Sequence, residues 1–336
     1  MTAVSIVVLA GYILLHFFSI IQTDRCLASF LRGKGSSGKL RLVWMAVYIV
    51  IFLLPVAGTF WPESPVKYTI MAIGNVTLGF DIYYCGFLLI LTAVRMIAGA
   101  VRNPRHRRSG SAARWTMAAA LVLAVIIPVY AMIHAQRPQV TYWQADICGN
   151  GESRGSYRVV LLGDLHMSVN SSPRLIGKAV ELANAEYPDA VFITGDFFTS
   201  NYEGLKDPEL YIEELSRLSA KDGVIAVYGN HDVKENLFCG FAVSPVSRAF
   251  RPSEMEQFIK KCGIRVLEDE VMEIAGGDLL VAGRKDGSKA GDGTAERLSA
   301  EELLSGADEG KPVLVLEHEP EDYGELRHAG ADIVFS

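Results

Sequence analysis

The sequence predicts two regions of different kinds in one chain, an N-terminal α-helical transmembrane bundle and a C-terminal α/β domain. Three observations carry this. Half of the 336 residues are hydrophobic, and before Arg137 they gather into four long stretches. From Gln136 onward, short runs of Val, Ile and Leu alternate with amphipathic segments, as strands alternate with helices in α/β domains. The charge divides at the same place: residues 1–136 hold twelve Lys and Arg against three acids, whereas the remainder is strongly acidic and brings the whole to −6. An acidic second half excludes sequence-independent nucleic-acid binding, which needs clustered cations to displace counterions from phosphates.

In the first region, Val4–Gln22, Leu42–Trp61, a longer stretch from Tyr68 to about Ala98, and Trp115–Ala135 each approach the length that spans a bilayer, roughly 20 apolar residues. Four transmembrane helices over residues 1–135 are therefore expected. A cleaved signal peptide is not, because no Lys or Arg precedes the first stretch and no small-residue cleavage site follows it. The first connection holds Arg25, Arg32, Lys34, Lys39 and Arg41, and the third holds Arg102, Arg105, Arg107, Arg108 and Arg114, against Lys67 alone in the second. Positive loops stay in the cytoplasm, so both chain ends and the second region are expected on the extracytoplasmic side. His16 and Asp81 fall inside apolar stretches, where an ionisable residue raises the question of a functional site. The expected reading is structural, with His16 bonding a neighbouring helix and Asp81 lying off-centre in its long span.

Residues 136–156 read as a linker. Beyond it, Tyr157–Asp164 (YRVVLLGD) has strand length, and Ser172–Tyr187 carries Leu175, Ile176, Val180 and Leu182 at helical spacing behind a Ser-Pro start. The unit repeats through the strand DAVFITGD, a helix near Leu210–Leu218, the strand GVIAVYGNHD and a helix at Ser253–Lys261. Strands IRVLEDEVMEI and LLVAGRKD follow, then an acidic helix at Thr294–Leu304, the strand KPVLVLEHEP, a short helix at Tyr323–His328 and the final strand ADIVFS. Such alternation indicates sheets flanked by helices, and such sheets carry their sites on loops at the carboxyl ends of strands.

The polar chemistry lies at those ends. One strand ends in Asp164-Leu165-His166, the next in Gly195-Asp196, the third in Gly229-Asn230-His231-Asp232, and a later one in His318. A lone Gly-Asp or Asn-His-Asp would signify no more than a turn. Four such clusters in one domain are more than turns require. Carboxylate, amide and imidazole suit Mn, Fe, Zn or Mg rather than a thiolate-seeking metal, and Asp164 and His166, two apart, can reach the same side of an extended segment.

In order and spacing, GDLH, GD, GNHD and the downstream His of LEHEP resemble the calcineurin-like metallophosphoesterase superfamily, and most nearly its membrane-anchored bacterial branch. The resemblance covers Tyr157–Ser336 and implies a β-sheet sandwich flanked by helices. It also implies two divalent metal ions, with Asp164 and His166 on one, Asp196 bridging, and Asn230 and His318 on the other. By the same resemblance His231 contacts the phosphoryl oxygens or protonates the leaving group, and Asp232 orients His231. In that family the last strand leads into a Gly-His-x-His turn whose histidines complete the coordination. The chain stops at Ser336 before such a turn, so a C-terminally truncated domain, weakened metal binding and impaired turnover are expected of it.

The expected function is binuclear metal-dependent hydrolysis of phosphodiester, phosphomonoester or pyrophosphate bonds, with lipid-linked or envelope substrates favoured by the membrane anchor. The alternative is a non-catalytic membrane sensor or binding protein that keeps the fold. Arg284 and Lys285, at a strand end, suit phosphate binding, although an exposed turn is the commoner meaning of such a pair. His328 reads as a surface residue. Glu268–Glu270 and Asp286–Gly293 read as solvated loops or edges. The five cysteines show no CxxC spacing, and one disulfide among Cys148, Cys239 and Cys262 is compatible with an oxidising compartment.

Overall fold

Four long helices open the chain: α1 (Ala3–Phe30), α2 (Ser37–Phe60), α3 (Pro65–Val101) and α4 (Gly110–His134). The computed structural model describes residues 3–30, 37–101, 110–147, 155–235, 237–238, 241–242, 249–308 and 310–336. It comprises two units, residues 1–137 with 237–243, and residues 138–236 with 244–336.

Among the described residues of the first unit, three helices are long and apolar enough to cross a membrane, over Gly38–Phe60, Pro65–Gly99 and Arg114–His134. Leu14, Phe17, Val43 and Ile90 point outward and are exposed, as side chains that face lipid are. Pro55 and Pro128 lie inside α2 and α4, which bundled membrane helices tolerate because their neighbours re-satisfy the freed backbone. Gly74 lets α3 approach α2 closely, since a Cβ there would stand 3.1 Å from the Pro55 nitrogen. α1, a helix of 28 residues, has the length of the first expected span. Its packed face is polar, with Tyr12, His16, Ser19, Thr23 and Cys26 recurring at helical spacing and all buried. Asp81 is not off-centre: it lies near the midpoint of the span Pro65–Gly99 and is buried against His16. Most cations that set the expected orientation (Arg32, Lys34, Arg102, Arg105, Arg107 and Arg108) lie outside the described residues. A short antiparallel pair, β4 (Leu237–Phe238) and β5 (Phe241–Ala242), also belongs to this unit.

The second unit is built on two four-stranded sheets. One runs β1 (Val159–Leu162), β2 (Ala190–Thr194), β3 (Val224–Val227) and β6 (Arg265–Val266), all parallel. The other runs β10 (Ile333–Phe335), β9 (Val313–Leu316), β8 (Leu279–Gly283) and β7 (Glu270–Ile274), parallel except for the β7–β8 pair. The two-residue period of a strand assigns the cores. From β2, Val191 and Ile193 enter a core with Ile176 and Val180 of α5 (Pro173–Ala185), Tyr211 and Leu215 of α6 (Pro208–Leu215), and Phe258 of α7 (Ser253–Lys261). Phe192 faces the opposite way and joins Ile225, Val281, Leu314 and Leu316 between the sheets. On the far side, Leu280 and Val315 pack against Leu303 of α8 (Ala300–Leu304) and Leu326 of α9 (Tyr323–His328). The result is an α/β/β/α sandwich, the sheet-and-helix architecture expected from the alternation.

Two boundaries differ from expectation. Ile264–Ile274 is not one strand but β6 and β7 in separate sheets. The break falls beside Asp269, which takes left-handed backbone (φ 58°) and accepts the Lys285 and Leu298 amides at 3.0 Å each. The helix expected over Thr294–Leu304 begins only at Ala300, because Ser299 caps it: Ser299 Oγ accepts the Glu302 amide at 3.2 Å and Glu302 accepts the Ser299 amide at 3.0 Å. Cys262 is a buried free thiol, so it enters no disulfide; Cys148 and Cys239 lie outside the described residues.

Candidate metal centre

The loops leaving β1, β2, β3 and β9 converge because all four strands are parallel within their sheets and end on the same side. At the middle stands Asp196, whose side chain is almost wholly buried. Its Oδ1 accepts the His231 amide at 2.8 Å. Its Oδ2 faces two imidazoles, His166 Nε2 at 3.4 Å and His318 Nε2 at 3.3 Å, and Asp164 Oδ1 lies 3.5 Å from His166 Nε2. Asp164, Asp196 and His318 present ligand atoms within 4.8 Å of one another.

The local backbone is bent to achieve this. Asp164, His166, Asp196 and Ser200 all take left-handed φ, at 52°, 44°, 54° and 52°, which costs a non-glycine residue of the order of 1 kcal/mol or more. Gly229 is required beside them, because any Cβ at that position would overlap Asp196 Oδ1. His318 Nδ1 lies 2.8 Å from the Thr194 carbonyl, an acceptor only. That fixes the proton on Nδ1 and aims Nε2 at Asp196.

Burial works against the charge on Asp196, but His318 and the His231 amide outweigh it and hold the carboxyl below its ordinary range. Burial likewise opposes charge on His318, yet Asp196 prevails and pushes the imidazole up to about 9. For His231 burial wins and holds the ring below its ordinary value.

The residues fit divalent metal ions on a specific ground. Asn230 donates from Nδ2 to Glu319 Oε1 at 2.8 Å, while its carbonyl oxygen is buried with no hydrogen-bond partner among the described residues. A buried amide oxygen left bare normally costs about 1–3 kcal/mol, and a hard cation is the partner that such an oxygen, two imidazoles and two carboxylates would share. Asp164, His166, Asp196, Asn230 and His318 would hold it.

Asp232 does not take the expected part. Its Oδ1 accepts the Phe198 amide at 3.0 Å and its Oδ2 the Gly229 amide at 2.8 Å. Fully buried, and with the charge of Asp196 nearby, it is pushed up to about 7. The residue at His231 Nδ1 is instead Ser200, whose Oγ lies 2.9 Å away. Arg284 is neither an exposed turn nor a free anion site: it is buried, bonded to Glu317 Oε2 at 2.9 Å and near Asp322 at 3.6 Å. The segment Asp286–Gly293 is not a solvated loop throughout. Asp286 is buried and accepts the Ser288 and Lys289 amides at 3.0 and 2.7 Å, Ser288 Oγ lies 3.4 Å from Glu319, and Lys289 pairs with Glu235 at 2.5 Å. His328 is exposed, as expected.

Glu319, Ser200 and Thr194 were not anticipated as parts of the site. Only Glu319 left a sequence signal, as the neighbour of His318. Ser200 and Thr194 are ordinary polar residues until the chain folds.

Known proteins are similar to this chain in sequence. A zebrafish (Danio rerio) transmembrane protein with a metallophosphoesterase domain is 24% identical over 213 residues, 60% of this chain and 44% of the relative. The cattle (Bos taurus) protein of the same description is 23% identical over 288 residues, 84% of this chain and 61% of the relative, an alignment too long to be confined to the α/β domain. An uncharacterised metallophosphoesterase of Campylobacter jejuni is 26% identical over 153 residues, 44% of this chain and 39% of the relative. The chain thus spans between about two fifths and three fifths of these relatives. The narrower likeness to a bacterial branch is not borne out, since the relatives described as transmembrane proteins are vertebrate. Residues 157–335 match the calcineurin-like phosphoesterase family, more than half of the chain, and on that match the protein belongs to the calcineurin-like phosphoesterase family.

Proposed function

We propose that residues 157–336 form a binuclear metal-dependent phosphoesterase domain, joined by a linker at 136–156 to a membrane anchor at 1–135. One observation carries the reading: a single carboxylate oxygen, Asp196 Oδ2, lies between two imidazole nitrogens, with Asp164 beside one of them and a bare amide oxygen on Asn230. In this reading Asp164 and His166 would hold one metal and Asn230 and His318 the other, with Asp196 shared between the two. A bound pair of divalent ions, of Mn, Fe, Zn or Mg, would supply hydroxide near neutral pH and neutralise charge on the phosphoryl oxygens.

The chain's own residues do the rest. His231, held by Ser200, stands at the edge of the cluster, its ring centroid 5.5 Å from that of His166. It is placed to contact the phosphoryl group and to give a proton to the leaving oxygen, a contribution typically worth about 10² to 10⁴ in rate. Because burial keeps the free imidazole neutral, the negative substrate must itself favour the imidazolium. The membrane anchor favours phosphodiesters or pyrophosphates of lipid-linked or envelope molecules, and loop charge favours a domain outside the cytoplasm.

The test is hydrolysis of an aryl phosphodiester by the purified chain supplied with each metal in turn, against Asp196→Asn. Loss of bound metal and of turnover in the variant is expected; retention of both overturns the bridging role. Stoichiometric metal without turnover on phosphodiesters, phosphomonoesters or pyrophosphates would make the protein a binding or sensing member of the family instead.

A further inference from the structure

The polar face of α1 meets α3 in a second cluster, separate from the phosphoesterase domain. His16, Asp81 and Cys85 are 2%, 5% and 0% exposed, and one ligand atom from each lies within 4.8 Å of the others. His16 Nδ1 is 2.8 Å from the Tyr12 carbonyl. A carbonyl only accepts, so the Nδ1 proton is committed and Nε2 is aimed at Asp81 Oδ2, which it touches. This is how metal-ligating imidazoles are held, with one nitrogen tied to a backbone carbonyl and the other free to ligate.

Cys85 Sγ stands 3.7 Å from Asp81 Oδ1 and 3.2 Å from the Tyr48 hydroxyl. Ser19 Oγ, also fully buried, faces Cys85 yet has no hydrogen-bond partner of normal geometry among the described residues.

A structural explanation covers only part of this. A His–Asp contact alone would fasten α1 to α3, as polar pairs do between membrane helices. It would not call for a thiol against the same carboxylate, nor for the Ser19 hydroxyl as a further polar group beside that thiol. Protons can join these contacts, Cys85 S–H donating to Asp81 Oδ1 and one proton lying between His16 Nε2 and Asp81 Oδ2, and a divalent cation would displace those protons and engage all three groups at once. We propose that His16, Asp81 and Cys85 form an intramembrane site for one divalent d-block cation, with the Ser19 hydroxyl beside it as a fourth oxygen. The mixed nitrogen, oxygen and sulfur set selects zinc-like or cobalt-like ions and disfavours Mg²⁺ and Ca²⁺, which take oxygen alone. Binding converts the Cys85 thiol to thiolate and releases its proton. Along α1 the buried polar face continues to Thr23, whose Oγ1 lies 2.5 Å from the Tyr84 hydroxyl.

The experiment uses the full chain in detergent, stripped with a chelator and titrated with Co²⁺. The residues proposed for the phosphoesterase metals include no sulfur, so a thiolate-to-cobalt charge-transfer band that depends on Cys85 reports this site, whatever becomes of the phosphoesterase reading. The band should reach the amplitude of one thiolate-bound cobalt per chain in the wild type and in Asp196→Asn, vanish in Cys85→Ser, and need about tenfold or more cobalt in His16→Ala. No band in a wild type of intact helicity, or a band that survives in Cys85→Ser, overturns the proposal. Should either variant fail to fold, X-ray absorption of the cobalt-loaded wild type decides: a shell containing sulfur supports the site, and a shell of nitrogen and oxygen alone refutes it.

Discussion

Glu319 holds the Asn230 side chain by its amide nitrogen, at 2.8 Å, and so turns the amide oxygen away, buried and without a hydrogen-bond partner among the described residues. An amide free to rotate would present nitrogen as often as oxygen, and nitrogen repels a cation. Glu319→Ala should therefore lower metal affinity by about 10- to 100-fold, the usual effect of removing a residue that orients a ligand. Isothermal titration with Mn²⁺ measures it, and an unchanged affinity would mean that Glu319 does not set the amide.

Ser200 is the group at His231 Nδ1, at 2.9 Å. Its removal leaves the ring in place but free to turn. Ser200→Ala should lower kcat by about tenfold with little change in KM, as expected when a general acid loses its alignment. Ser200→Thr, which keeps the hydroxyl, should recover much of the loss. A fall in KM and kcat together, unrescued by Thr, would indicate collapse of the left-handed turn at Ser200 rather than misalignment of His231.

Asp232 ties two loops together through the Phe198 and Gly229 amides. Asp232→Ala leaves both buried donors bare, at about 1–3 kcal/mol each. The expected outcome is a lower thermal midpoint whether or not metal is present, with substrate affinity falling only as far as folding does. A variant of normal stability that has lost only turnover would restore the orienting role expected from sequence.

Asp189 accepts the Arg158 amide at 2.7 Å and is paired with Lys221. The Lys221 ammonium first, and the Arg158 amide second, hold its carboxyl below the ordinary range. A carboxyl with a lower value folded than unfolded stabilises the fold above its unfolded pKa, about 3.9, and loses that contribution as pH falls through the folded value. Hydrogen exchange of the β1 and β2 amides, corrected for intrinsic rates, should therefore quicken below about pH 4 in the wild type. Asp189→Asn should be less protected at neutral pH, by about 1 kcal/mol, and less sensitive to acid. Identical acid profiles would remove Asp189 as their source.

Much of the molecule was legible before folding. Runs such as AVFIT and VLVL could only be buried strands, and apolar stretches of twenty residues could only be long helices, because apolar burial and obligatory backbone hydrogen bonds leave few other solutions. Asp164, His166, Asp196, Asn230 and His318 were legible because each closes a strand. Their supports were not. Ser200 for His231, Thr194 for His318 and Glu319 for Asn230 are contacts between elements, and no local pattern records them. Asp232 shows the converse: beside His231 in sequence it invited a functional role, but the turn points its oxygens at two amides.

The membrane half divides in the same way. Sequence alone determined that the long apolar stretches of this half are helices, since period and composition are local properties of a chain. Only the tertiary structure decided that Asp81, 65 residues from His16 in sequence, would come against it and beside Cys85. Which buried polar groups meet depends on how helices pack, and that is settled by the whole bundle at once.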